Sequence, residues 1–234
     1  MDTAKEEILK RLKNKHQAIK SATLVSGLVS TAITGEHPTK VKTESQTNLL
    51  LKMFEENRIE ARQVNPESFS RLLVELSKQK NIKKWLLGNG RTYQEQAEKA
   101  LKQCSRNIKI ERYREHYESL RTQLFHEIDA SLTLAQGAIA DTGTLLIVPD
   151  KHEPRMMSLI PAIHVVLLNE ADIYPTFQTL IDSNTWHSCV NTQTEPVPTN
   201  IVFVSSPSKT ADIQQTLAYG AHGPKEVIVL LLSE

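Results

Sequence analysis

Three polar, glycine-punctuated segments late in the chain carry the residue types best suited to chemistry. They are Gly137-Ala-Ile-Ala-Asp141-Thr142-Gly143-Thr144, Ser206-Pro-Ser208-Lys209-Thr210-Ala-Asp212-Ile213 and Gly220-Ala-His222-Gly223-Pro-Lys225. Each adjoins an apolar, strand-like run, the setting in which α/β proteins place ligand loops. In the first, Gly143 permits close backbone approach, and Asp141 could orient a hydroxyl or act as a base. The alternative is a turn in which the Asp bonds its own backbone. In the second, Ser206, Ser208, Lys209 and Thr210 could cradle a phosphate or carboxylate, aided by a helix starting at Ala211. Equally, Ser208 or Thr210 simply caps that helix. In the third, His222 could move a proton or bind an anion, or only bond a carbonyl.

Other candidates are weaker. Arg155 could meet an anion at a strand end, or be a plain surface arginine. His164 interrupts an apolar run and reads as a core histidine. The eight histidines form no HxH or HExxH pattern, and no Walker A, GxGxxG or GxSxG motif occurs. Cys104 and Cys189 have neither CxxC nor zinc-ligand spacing. Two thiolates are too few for an iron–sulfur cluster, so both read as free thiols in a reducing cytoplasm.

Composition bounds the class. With 39% hydrophobic and 24% charged residues, the chain can pack a core. Net charge of +1 argues against a dedicated nucleic-acid surface. Residues 1–128 hold 24 Lys/Arg against 16 Asp/Glu, whereas residues 129–234 hold 4 against 11. The first part reads as helices with basic solvated faces, or less plainly as a docking face for an acidic partner. The start is charged and lacks a signal-peptide core. The apolar stretch 22–33 is too short and too rich in Ser and Thr to span a bilayer.

Residues 3–20 read as a basic amphipathic helix bearing Ile8, Leu12 and Ile19, packed on its own domain or a sister subunit, with membrane contact as the alternative. Residues 1–42 are therefore set apart as an N-terminal helical extension and 43–234 as an α/β domain. Helices are expected over 45–57, 66–79, 92–104, 115–128 and 174–184, with one helical turn over 154–158. Strands are expected over 59–64, 82–87, 108–110, 131–135, 144–148, 162–168, 201–205 and 227–232. Residues 137–143 join two of these strands as a hairpin or crossover, and 191–199 form a Pro/Thr loop. Such alternation implies a mainly parallel sheet with flanking helices.

The ordered blocks Ala140–Leu145, Pro154-Arg155 with Leu159–His164, Ser206–Ile213 and Gly220–Pro224 resemble the signature of the LUD-domain (lactate utilization) family. The resemblance is strongest over 130–232. It implies a fold similar to the ribose-5-phosphate isomerase, CoA-transferase and formyltetrahydrofolate cyclo-ligase superfamily. It also implies a bacterial role in oxidising L-lactate to pyruvate beside two iron–sulfur partner proteins. The clusters would sit in those partners, and this chain would bind no cofactor. The implied site for a small anion is Asp141, Thr142, Gly143, Thr144, Arg155, Ser206, Ser208, Lys209, Thr210, Asp212, His222 and Gly223, with no catalytic residue assigned. Gln214 replaces the family's usual acid, Ala221 its usual Val, and Lys225 its usual Arg. Lys225 keeps the charge but lacks the bidentate fork for a carboxylate.

Overall fold

The computed structural model describes residues 43–104, 107–113, 127–190, 198, 200–211, 217–219 and 222–233. The expected helices over 3–20 and 115–128 and the loop over 191–199 fall wholly or mostly outside them. Residues 42–234 make up one compact unit, which holds every element named below.

Six strands form a wholly parallel sheet: β1 (Glu60–Val64), β2 (Lys84–Leu87), β3 (Lys109–Arg112), β4 (Ala130–Leu134), β7 (Ile163–Asn169) and β12 (Glu226–Leu232). Their order is β1-β12-β7-β4-β2-β3. The central strands are aliphatic on both faces because both faces are covered. Residues of one parity, such as Trp85, Leu87, Leu132, Val165 and Leu230, pack against α2 (Phe69–Gln79) and α3 (Thr92–Cys104). Helix α2 buries Phe69, Leu73 and Leu76, one stripe at helical spacing. The Trp85 ring nitrogen donates to the Ser77 hydroxyl at 3.0 Å, which satisfies a buried polar pair.

Residues of the other parity, including Val166, Leu168, Val229 and Leu231, meet α1 (Thr43–Glu56) through Leu50 and Phe54. The same face carries a second, four-stranded sheet. It consists of β5 (Gly137–Ile139), β6 (Thr144–Ile147), β8 (Ile173–Tyr174) and β9 (Val202–Val204), in the order β8-β5-β6-β9. Sequence periodicity does not separate this sheet. Residues 137–139 are themselves a strand, antiparallel to β6. The single helix expected over 174–184 divides into β8, α5 (Phe177–Ile181) and α6 (Asn184–Val190). A short α4 (Met156–Leu159) matches the expected helical turn. No helix starts at Ala211: Lys209–Ala211 is β10, antiparallel to β11 (Leu217–Tyr219).

Candidate functional site

Strands β2 and β4 are neighbours, and the chain leaves their ends in opposite directions. After β2 it passes to α3 on one face and returns in β3. After β4 it passes to the small sheet on the other face and returns in β7. A crevice opens where such connections diverge, outside the carboxyl ends of the strands. Here that place holds a cavity of about 1110 Å³, lined by Arg91, Gln136, Asp150, Lys151, His152, Arg155, Thr185, Ser188 and Cys189, among others.

The loop after β2 is built for close packing. A Cβ on Gly88 would lie 2.6 Å from the His152 carbonyl oxygen and 2.8 Å from Glu153 Cγ. Gly90 takes φ +72°, a region costly for other residues. Segment 150–153 can therefore lie against the end of β2, where Asn89 N–H donates to His152 O at 3.2 Å. Asp150 Oδ1 accepts the backbone N–H groups of His152 at 2.8 Å and Glu153 at 2.7 Å. Its Oδ2 accepts from Arg91 Nη2 at 2.7 Å. Burial acts to raise the Asp150 pKa, but these N–H groups and Arg91 outweigh it and hold the carboxyl below its ordinary value.

Glu153 sits just behind the cavity wall, only 5% exposed. Its Oε1 accepts from Gln94 Nε2 at 2.9 Å, and its Oε2 accepts from Leu134 N–H at 3.0 Å. Arg91 Nε lies 3.6 Å from Oε1. Burial pushes the Glu153 carboxyl up to about 7, and Leu134 N–H and Arg91 offset this only in part. Gln94, fully buried, also accepts from Gly88 N–H at 3.2 Å and donates to Leu132 O at 2.9 Å. It ties β2, β4 and Glu153 together. Cys189 also lines the cavity, and burial raises the pKa of its thiol, which keeps it protonated at neutrality. The arrangement can bind an anion through guanidinium and ammonium groups and can hold one proton on a buried carboxyl.

The expected site residues distribute differently. Arg155 lines this cavity. Ser208 and Gly223 are side by side: Ser208 N–H donates to Pro224 O at 2.9 Å, and a Cβ on Gly223 would lie 3.0 Å from Ser208 Cβ. Together with Ser206, Lys209 and the exposed His222, they lie where β7 and β12 begin, since Lys225 N–H donates to Ala162 O at 2.8 Å. That is the opposite edge of the parallel sheet from the cavity. Thr210 faces Ala218 across the β10–β11 hairpin. Asp212 lies outside the described residues. Asp141, Thr142 and Gly143 form the β5–β6 turn, which packs on the end of α1: Asn57 Nδ2 donates to Thr142 O at 2.8 Å. Thr144 begins β6 opposite Ile139. The structure thus joins the second and third segments and sets the first against α1.

His164 is fully buried, with Nε2 2.8 Å from Thr133 Oγ1, while Nδ1 has no hydrogen-bond partner. Burial lowers its pKa to about 3, so the ring is neutral. Sequence reasoning passes over Arg91, Gln94, Asp150, His152 and Glu153. The signals are present: Gly88-Asn89-Gly90-Arg91 directly after a strand, and the charged run Asp150–Arg155 after another. Among the described residues, no group of three or more His, Cys, Asp or Glu side chains is placed to hold a metal ion. Nor is any helix among them long and apolar enough to cross a membrane.

Fold and cavity define an α/β protein with a ligand-sized crevice at the switch point of a parallel sheet. Residues 47–232 match the LUD domain, and the chain belongs to the LUD-domain family. It is 33% identical over 169 residues to an uncharacterised protein of Neisseria meningitidis serogroup B, covering 72% of this chain and 69% of that one. It is similar to lactate utilization protein C of Macrococcus caseolyticus, 26% identical over 48% of this chain and 47% of that protein. Lactate utilization protein C 1 of Bacillus mycoides is 24% identical over 81% of each chain. The fold matches that of a DUF162 family protein from Deinococcus radiodurans with a TM-score of 0.60 at 15% identity, over 82% of this chain and 99% of that one.

Proposed function

We propose that this chain is a lactate utilization protein C-like subunit, without clusters of its own, of a bacterial iron–sulfur system that oxidises L-lactate to pyruvate. In that system lactate gives up two electrons and two protons. The electrons pass to clusters held by two partner proteins in the cytoplasm. The observation that carries the reading is the crevice itself, which presents Arg91, Lys151 and Arg155 to an anion where β2 and β4 end. A 2-hydroxy acid offers the matching carboxylate. The names of the relatives support the pathway. Reconstitution tests it: the chain is mixed with its two partners and L-lactate-dependent reduction of a dye acceptor is followed. Omitting the chain, or using Arg155→Ala, is expected to lower the rate at least tenfold. A full rate without the chain would end the proposal.

Cavity size favours a second reading. About 1110 Å³ exceeds what a three-carbon acid fills, and pockets for drug-sized ligands run about 300–1,000 Å³. A free-standing enzyme of the cyclo-ligase or isomerase type, acting on a nucleotide, folate or sugar phosphate, would use that space. Turnover of such a substrate by the isolated chain would favour this reading over the first.

A further inference from the structure

Arg91 stands between two carboxyl groups of unlike character. Its Nη2 is bonded to Asp150 at 2.7 Å. Its Nε is buried, has no hydrogen-bond partner and faces Glu153 Oε1 at 3.6 Å. Around Glu153, α3 supplies the Gln94 amide, β4 supplies Leu134 N–H, and the end of β2 supplies Gly88. Its own segment supplies Asp150 and His152, and among the described residues Arg91 is the cation that faces it. An ionised Glu153 therefore depends on Arg91 for charge compensation.

An anion seated against Arg91 draws on that same positive charge. The ionised form of Glu153 then becomes costlier, and the acid form gains. We propose that proton uptake at Glu153 accompanies anion binding in this cavity, with Arg91 coupling the two and Glu153 acting as a positioning residue. The proposal rests on the reading of the cavity as an anion site. It gives the buried carboxyl a role in setting affinity without contact with the ligand. Because burial pushes Glu153 up to about 7, the exchange falls near neutral pH.

Calorimetry on the full chain tests it, with L-lactate and with sulfate as probes, in buffers of differing ionisation enthalpy. Sulfate does not titrate near neutrality, so its pH dependence reports the protein, and comparing the two probes separates carboxylate from divalent oxyanion recognition. A substantial fraction of a proton is expected to be taken up per anion bound. Affinity is expected to fall by up to about tenfold between about pH 6 and about pH 8. Glu153→Gln should keep binding and lose both effects. The imidazole of His152 is the competing source and lines the same cavity, so His152→Gln is compared per anion bound: whatever its affinity, it should retain the proton uptake. Binding without proton uptake, or uptake abolished by His152→Gln and not by Glu153→Gln, overturns the coupling and leaves the anion site standing. If neither probe binds, both fall. Should Glu153→Gln not fold, carboxyl-labelled NMR of the unsubstituted chain follows Glu153 directly. An upward move of its midpoint on adding sulfate is expected, and a fixed midpoint overturns the coupling.

Discussion

Two glycines show how single residues divide structure from function. Gly88 lets segment 152–153 lie against the end of β2, and any Cβ there meets the His152 carbonyl at 2.6 Å. Gly143 takes φ +61°, and its Cβ would meet Asn57 Nδ2 at 2.8 Å and Met53 Cβ at 2.9 Å. Alanine at either position is expected to cost about 1–3 kcal/mol of stability by urea denaturation. Their effects on the cavity should differ. Gly88→Ala displaces His152 and Glu153 and should weaken sulfate binding severalfold, whereas Gly143→Ala disturbs the end of α1 and should leave binding within twofold. Equal losses from both would mean that the Asp141 turn belongs to the site after all. In the sequence Gly143 is the more visible of the two, because it sits among Asp and Thr side chains that could do chemistry. Gly88 reads as a strand terminator. Its role depends on a partner more than sixty positions away, which no local spacing reveals.

At the scale of elements, legibility follows period and length. The aliphatic run of β12, the stripe of α2 and the amphipathic α3 stand alone in the sequence, and the structure has each of them. Of the small sheet, β6 and β9 match the strands expected over 144–148 and 201–205, whereas β5 and β8 are hidden because they are three and two residues long, too short for a period of two to show. The region 174–184 reads as one continuous helix because Tyr174, Phe177, Leu180 and Ile181 fall at helical spacing. Pro175 and Ser183 interrupt that pattern, and Thr176 caps α5 through Thr179. Buried Leu180 of α5 packs on Ile139 and Leu146 of the small sheet, with Trp186 of α6 against them, and an outer aromatic cluster adds to this. Phe177 and Phe203 meet edge to face at 5.5 Å, and Trp186 stacks on Phe203 at 6.4 Å. Since Thr185, Ser188 and Cys189 line the cavity, this packing also sets one of its walls. Trp186→Ala is expected to cost about 1–3 kcal/mol and to speed the reaction of Cys189 with a thiol reagent. Unchanged Cys189 reactivity would show that the aromatic cluster does not position α6.

For the molecule as a whole, two buried groups oppose each other in their effect on stability. Glu153 has its folded pKa raised to about 7, from an ordinary value of 4.5. Between those values the folded chain holds a proton that the unfolded chain has released, so stability falls as pH rises through this window. His164 has its folded pKa lowered to about 3, from an ordinary value of 6.5. Between those values the unfolded chain binds a proton that the folded chain refuses, so stability rises with pH. The windows overlap from about pH 4.5 to about pH 6.5, and there the slopes, each about 1.4 kcal/mol per pH unit, have opposite sign and cancel. The unsubstituted chain should therefore show little change in urea midpoint across the overlap from these two groups. Below it, midpoints should drop as His164 in the unfolded chain continues to claim its proton. Glu153→Gln removes the falling contribution and should leave stability that climbs with pH through the overlap. His164→Gln, which keeps an amide within reach of Thr133, should leave stability that declines instead. Midpoints that move in the same direction with pH in both variants would mean that at least one of these groups is not buried in the charge state assigned to it.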